Sequence, residues 1–351
     1  MRKLKIMTKI ITLACSCLLI AAQITAQRVV TLHSSSGVSA FSSVNPFVDA
    51  YNAASNGDTI YLPGGVVNPP GNFSKRLYIY GAGMHPDSTQ ATFPSVINGG
   101  INFNHADANH THIEGVQILG TFSVTSNLQM TGLTVKRCYI TGGITISGSG
   151  STNLSSNFGF IESVLLGDAN IFFLTNSTFS NCLFTGRITS SKGNNFENNI
   201  SLYQGSGSFS TAYVFFSCDN NNIKNNIFIN TLNSRAFSGS GNIISNNLFC
   251  ATSPNFSGAD IVINNYLGVP QQDIFVNQQG NSFSFSHDYH LQNPSLYLGT
   301  DGTEVGIFGG IFPVKPKYVP INPHIVSKNI APTTNNQGEL EIQIQVAGQN
   351  H

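Results

Sequence analysis

A six-residue pattern recurs along the middle of the chain: an apolar residue, any residue, Asn or a variable residue, then Asn, Cys or Ser, then two further positions that are mostly apolar. It runs from Val135 to Ile140, Phe160 to Leu165, Phe179 to Phe184, Phe196 to Ser201, Ile223 to Phe228, Ile244 to Phe249 and Val262 to Leu267. The fourth position holds Cys138, Ser163, Cys182, Asn199, Asn226, Asn247 and Asn265, at spacings of 25, 19, 17, 27, 21 and 18 residues. A motif of fixed length at irregular spacing fits the stacked coils of a β-solenoid, in which each rung keeps its strand core while its loops vary in length. The fold class expected is therefore all-β. Rungs stack about 4.8 Å apart, so the seven fourth-position residues should pile into a column in which asparagines hydrogen-bond along the stack. The next residues, Tyr139, Val164, Leu183, Ile200, Ile227, Leu248 and Tyr266, are all apolar and are expected to fill the narrow core.

The first 26 residues place Arg2, Lys3, Lys5 and Lys9 before an apolar run from Ile10 to Ala22 and end in Ile24-Thr25-Ala26. That order predicts a secretory signal, cleaved near Ala26, and a secreted protein that is periplasmic, surface-bound or extracellular. No other stretch is long and apolar enough for a transmembrane span. Beyond Ala26 remain 12 Lys and Arg against 16 Asp and Glu, a net charge of −4. Nucleic acid is excluded as an expected partner, because phosphate binding needs a basic footprint. Only 9% of residues are charged, against about 25% in ordinary globular proteins, so Asn, Ser, Thr and Gly must supply the polar surface. Of the four remaining cysteines, Cys138 and Cys182 stand at the column position and are expected to be buried free thiols.

Ahead of the repeats, Asn45 and Pro46 open a helix whose Phe47, Ala50, Tyr51 and Ala54 share one face, and Gly57 closes it. Asp58 to Leu62 alternates as a strand before Pro63-Gly64-Gly65. Such a helix would seal the open end of a stack of strands. After the repeats, Asp288 to Gly310 reads as a glycine-rich closing turn, and residues 313–351 as a Pro-rich tail. Within that tail Leu340, Ile342, Ile344 and Val346 alternate on one face of a strand or hairpin expected on the solenoid's far end. The domains expected are thus a signal at 1–26, the solenoid at 27–312 and the tail at 313–351.

Asn56-Gly57-Asp58-Thr59-Ile60-Tyr61-Leu62-Pro63-Gly64-Gly65, together with Asp288-Tyr289-His290-Leu291 and Gly302-Thr303-Glu304-Val305-Gly306-Ile307-Phe308-Gly309-Gly310, resembles the opening and closing signatures of the pectin-lyase-like superfamily. The likeness covers residues 40 to 312 and is nearest to secreted members from Bacteroidetes-type bacteria. It implies a right-handed, single-stranded parallel β-helix with an N-terminal amphipathic capping helix. It also implies pectate lyases, polygalacturonases and pectin methylesterases among the relatives, alongside adhesins; fold does not choose between them.

Hydrolysis of the polygalacturonase kind needs clustered carboxylates, and the chain has no Asp-Asp, Asn-Thr-Asp, Gly-His-Gly or Arg-Ile-Lys. β-Elimination needs a base with cations or calcium to neutralise a uronate. Lys136, Arg137, Glu162, Glu197 and Lys224 are read as scattered along the repeats, with Glu197 and Lys224 as a cross-rung ion pair. Arg187, Lys192 and Arg235 are the remaining lyase candidates, and calcium is the one cofactor that reading would bring. His105, Asp107, His110 and His112 form the one local group of potential metal ligands, with His110 and His112 alternating outward on a strand; solvated loop histidines are the competing reading. His287, Asp288 and His290 are expected to hold the closing turn. The leading expectation is a non-catalytic protein that binds polysaccharide or a cell-surface glycan or serves as a surface scaffold. A lyase or hydrolase, and an adhesin pairing through the strand from Glu339 to Val346, are the alternatives. No motif bears on oligomeric state.

Overall fold

The computed structural model describes residues 28–146, 154–205, 213–232, 237–320 and 322–348. The expected signal at 1–26 and the candidate Arg235 lie outside these residues. The chain winds as a parallel β-solenoid of about nine turns. Its first sheet runs from Thr59–Tyr61 to Ile261–Ile263, its second from Gly65–Val67 to Leu248–Phe249 and its third from Ile101–Phe103 to Phe215–Phe216. Pairing is in register, so Val135, Phe160, Phe179, Phe196, Ile223 and Ile244 lie over one another. Phe160 stacks on Phe179 at 4.8 Å and Phe179 on Phe196 at 4.9 Å, rings nearly parallel, in a buried column along the axis.

Strands of two or three residues must end in sharp corners, and each corner has its own device. Between the first and second sheets the third motif position takes left-handed backbone, at Arg137 (φ 49°), Glu162 (48°), Asn181 (53°), Asn198 (55°), Asn225 (59°), Asn246 (52°) and Asn264 (49°). Asn tolerates that region best among residues with a Cβ, which explains its frequency there. Between the second and third sheets Gly142 and Gly167 stack so closely that a Cβ would stand 2.4 and 2.5 Å from the backbone of a neighbouring rung. Between the third sheet and the first, Asn194, Asn221 and Asn242, each five residues before a motif asparagine, form a second ladder that the motif alone did not reveal. The Asn194 N–H donates to Asn221 Oδ1 at 3.1 Å, that of Asn221 to Asn242 Oδ1 at 3.0 Å, and that of Asn242 to Asp260 Oδ1 at 2.9 Å.

Helix α1 (Pro46–Ala53) closes the first end and buries Phe47, Ala50 and Tyr51. Phe47 and Tyr51 both contact the Phe73 ring. Asn45 does not cap α1 with its side chain, which instead accepts from Asn68. Lys75 Nζ caps the other end, donating to the carbonyls of Tyr51, Asn52 and Ala54 at 2.9, 3.1 and 2.7 Å. An antiparallel hairpin, Val30–Ser34 with Gly37–Phe41, extends the first sheet beyond Thr59–Tyr61; its short alternation carried no repeat signal.

Two expectations are corrected by the packing. Ile140, Leu165, Phe184, Phe228 and Phe249 fill the solenoid interior. Val164, Leu183, Ile200, Ile227 and Leu248 belong instead to a second apolar cluster with Ile274, Tyr289, Val305, Ile307, Val314 and Tyr318. Alternation on a strand sends consecutive residues to opposite faces, so the uniform apolar row faces outward and is covered by a closing arm. That arm, residues 266–320, runs back along the solenoid, and Lys317 reaches Asp87 beside the first rungs. The tail therefore returns to the beginning of the solenoid, and not to its far end. It finishes in an antiparallel hairpin, His324–Ile330 with Ile342–Ala347, which approaches the 3-10 turn Asp87–Thr89.

Candidate functional site

The fourth-position residues stack rung on rung and are hydrogen-bonded from Cys182 through to Asn265. The Asn199 N–H donates to Asn226 Oδ1, Asn226 N–H to Asn247 Oδ1 and Asn247 N–H to Asn265 Oδ1, each at 2.9 Å. The amides donate back to the rung before: Asn226 Nδ2 to the Phe196 carbonyl at 2.9 Å and Asn265 Nδ2 to that of Ile244 at 2.8 Å. Cys182 N–H donates to Asn199 Oδ1 and Cys138 N–H to Ser163 Oγ, while the Cys138 and Cys182 thiols donate to the carbonyls of Ile113 and Phe160 on the rung before, as the amides do. All four described cysteines are free and buried, and burial pushes their thiols up to about 12.

The proposed metal ligands are not brought together. His105 Nδ1 accepts from the Asp107 N–H and caps a short 3-10 turn. His110 sits in left-handed backbone outside any strand, packed over Gly132. His112 turns to Glu114, with Nε2 3.0 Å from Oε2. Among the described residues no three His, Cys, Asp or Glu side chains group as metal ligands. The lyase candidates are also apart. Arg187 pairs with Asp168 at 3.1 Å beside the third-sheet strand Ile188–Thr189, and Lys192 is exposed across the corner leading to the first sheet.

Three of the charges expected to be scattered, Lys136, Arg137 and Glu162, instead group with Glu114 on three successive rungs. Arg137 bridges Glu114 at 2.5 Å and Glu162 at 2.8 Å, all three side chains buried, and Lys136 adds a contact to Glu162 at 3.4 Å. Spacings of 23 and 25 residues hid this, because loop length separates in sequence what the rung stacks in space. Burial opposes ionisation of Glu114, yet the His112 hydrogen bond and the charges of Arg137, His112 and Lys136 hold its carboxyl below the ordinary glutamate value. Phe312 lies over Lys136, at 5.4 Å, on the solvent side. Glu197 and Lys224 form the expected cross-rung pair at 3.1 Å, half-buried.

The arm is fastened by the left-handed row. Asn181 Nδ2 donates to the carbonyls of Ile307 and Gly309 at 2.9 and 2.7 Å, and Asn225 Oδ1 accepts from Thr300 N–H at 2.9 Å. Between the arm and the loop at His85 the fold leaves a groove with two adjoining lobes, of about 340 and 440 Å³. Phe283, Phe285 and Tyr289 line it, with Phe283 against Phe285 at 4.9 Å and Tyr139 on Phe285 at 5.4 Å. His290 stacks on Phe308 and bonds Asp288 at 2.7 Å. Burial holds His85 below the ordinary histidine value, with Asp87 and a bond to Phe285 opposing and Lys317 reinforcing. Tyr318 also lines the groove, and its buried hydroxyl has no hydrogen-bond partner among the described residues. The sequence reading missed Phe283, Phe285, Tyr318 and His85; the alternating Phe283-Ser284-Phe285-Ser286-His287 was a usable signal of a strand-like aromatic edge.

Comparison of the chain with protein-family models, with curated proteins and with solved structures finds no match.

Proposed function

We propose that this is a secreted, pectin-lyase-like parallel β-helix protein that binds a neutral glycan segment in the groove between the closing arm and the His85 loop, without cleaving it. The carrying observation is the concentration of half-buried aromatic rings, Phe283, Phe285 and Phe308, beside Ser284, Asp288 and His290 in one concave site. Aromatic faces stack on the apolar face of a pyranose, and nearby polar groups take its hydroxyls. A lyase would need its base and cations in one place, and Arg187 and Lys192 occupy two sides of a corner.

The test is a glycan array followed by calorimetry on the glycans retained. Binding should weaken at least tenfold in Phe308→Ala and Phe283→Ala, with an unchanged far-ultraviolet spectrum. Absence of retention on the array, or equal affinity in both variants, refutes the groove as the site. Release of unsaturated sugar from uronate polymers, with or without calcium, would establish the lyase reading in its place.

A further inference from the structure

We propose that the end of the closing arm, residues 314–320, is an acid-released strap, seated against His85 while that ring is neutral and let go when the ring takes up a proton. The seat is built around an unprotonated ring nitrogen. His85 Nδ1 accepts the Asp87 N–H at 3.1 Å, and the His85 carbonyl accepts the Thr89 hydroxyl at 2.8 Å, so the loop fixes the ring. The ring makes a T-shaped contact with Phe285 at 4.8 Å and stacks on Tyr318 at 6.5 Å, and His85 is only 5% exposed. An imidazolium has two donors and no acceptor. Protonation therefore breaks the Asp87 bond and sets a charge between two rings where little water can solvate it.

The strap is poised to leave. Lys317 and Tyr318 are consecutive residues in left-handed backbone, at φ 58° and 47°, a conformation that bulky residues hold only where their surroundings impose it. Tyr318 is buried with its hydroxyl unpartnered among the described residues, a second cost of the seated state. Apolar contact with Tyr289, Ile307 and Val314 holds it down. The Lys317–Asp87 pair spans 3.5 Å with both side chains more than half exposed, and exposed pairs add little. Burial holds the seated ring below the ordinary histidine value, opposed by Asp87 and the Phe285 bond and reinforced by Lys317. On the arm, His290 has Asp288 as partner at 2.7 Å, so its protonation tightens that contact. His287 and Lys315 line the same lobe, and the strand His324–Ile330, which packs against Asp87–Thr89, carries His324 and Lys328. Because the released ring titrates at the higher value, the released form takes up the proton first as pH falls. The neutral ring's contribution is complete above about pH 6.5 and is lost as pH drops through the seated value.

The test is hydrogen exchange on the full-length protein without glycan, with labelling times corrected for the pH dependence of intrinsic exchange. Exchange of a protected amide reports the population of the open state. The Val314 N–H, bonded to the Ile307 carbonyl at 2.9 Å, reads the strap; the Ile188 N–H, bonded to that of Val214 at 2.8 Å, reads the solenoid. Between about pH 7.5 and about pH 5, protection at Val314 should fall about tenfold while protection at Ile188 holds. His85→Phe keeps a ring in the seat that cannot take up a proton, so its strap protection should be equal at both pH values. Should that variant leave the strap open throughout, His85→Asn, which retains an acceptor for the Asp87 N–H, takes its place. Unchanged protection at Val314 in wild type, an equal loss at Ile188, or the same acid loss in the variant each overturns the proposal. A strap left open by both variants also overturns it, because the seat then depends on more than the charge of the ring. Glycan affinity is not a readout here, so the outcome is independent of what the groove binds.

Discussion

Arg137 is held in left-handed backbone between two buried carboxylates. Removing one member of such a group costs more than the group contributes, because the remaining charges keep their desolvation penalty without compensation. Arg137→Met is expected to lower the unfolding free energy by about 3–5 kcal/mol, read from urea titrations. Combining it with Glu114→Gln and Glu162→Gln should recover most of that loss; a triple variant as unstable as the single one would refute the charge argument. The acid response follows from Glu114. Its carboxyl ionises more readily in the folded chain than in the unfolded chain, so the unfolded state takes up protons first as pH falls. Its contribution is complete above the ordinary glutamate value and is lost as pH drops through the folded value. Glu114→Gln should therefore flatten the decline in stability below pH about 4.5. In the column, Asn226 accepts two bonds from Asn199 and donates to Phe196 and Asn247. Asn226→Ala strands these buried partners and should cost about 2–3 kcal/mol, whereas an unchanged urea midpoint would mean the ladder is decorative.

The closing arm is the element that turns a bare solenoid into one with a groove. It covers Val164, Leu183, Ile200, Ile227 and Leu248, which would otherwise form a long exposed apolar stripe. Ile307 is buried at the centre of that contact and its carbonyl accepts from Asn181. Ile307→Ala should destabilise by about 2–4 kcal/mol and open the arm before the rungs. Limited proteolysis should then cut within residues 283–318 while the solenoid fragment stays intact; cleavage spread evenly along the chain would argue against an arm of independent stability. The outward orientation of that row was not legible from the motif, since alternation tells that two neighbours face opposite ways and not which of them faces in. The position two residues earlier did give a clue: Asn181, Asn198, Asn225, Asn246 and Asn264 are of the type with a Cβ that best tolerates left-handed backbone, so they mark the corner, and the corner sets the phase.

For the molecule as a whole, the cover over the ends of the stack guards against aggregation through free strand edges. At the first end α1 and the 30–41 hairpin cover the core through Phe47 and Phe73. Phe47→Asp should lift that cover and raise light scattering on gentle heating at temperatures where wild type stays clear; equal scattering would show that the cover is dispensable. The sequence by itself determined the solenoid, the capping helix, the column from Cys138 to Asn265 and the Glu197–Lys224 pair, because these rest on local turn chemistry and on residues that repeat once per rung. Only the tertiary structure decided the Glu114–Arg137–Glu162 group, the path of the arm, the groove beside His85 and the return of the hairpin to the first rungs. Those depend on how many residues each loop inserts between rungs and on where a long return segment lies, and neither leaves a periodic trace in the order of residues.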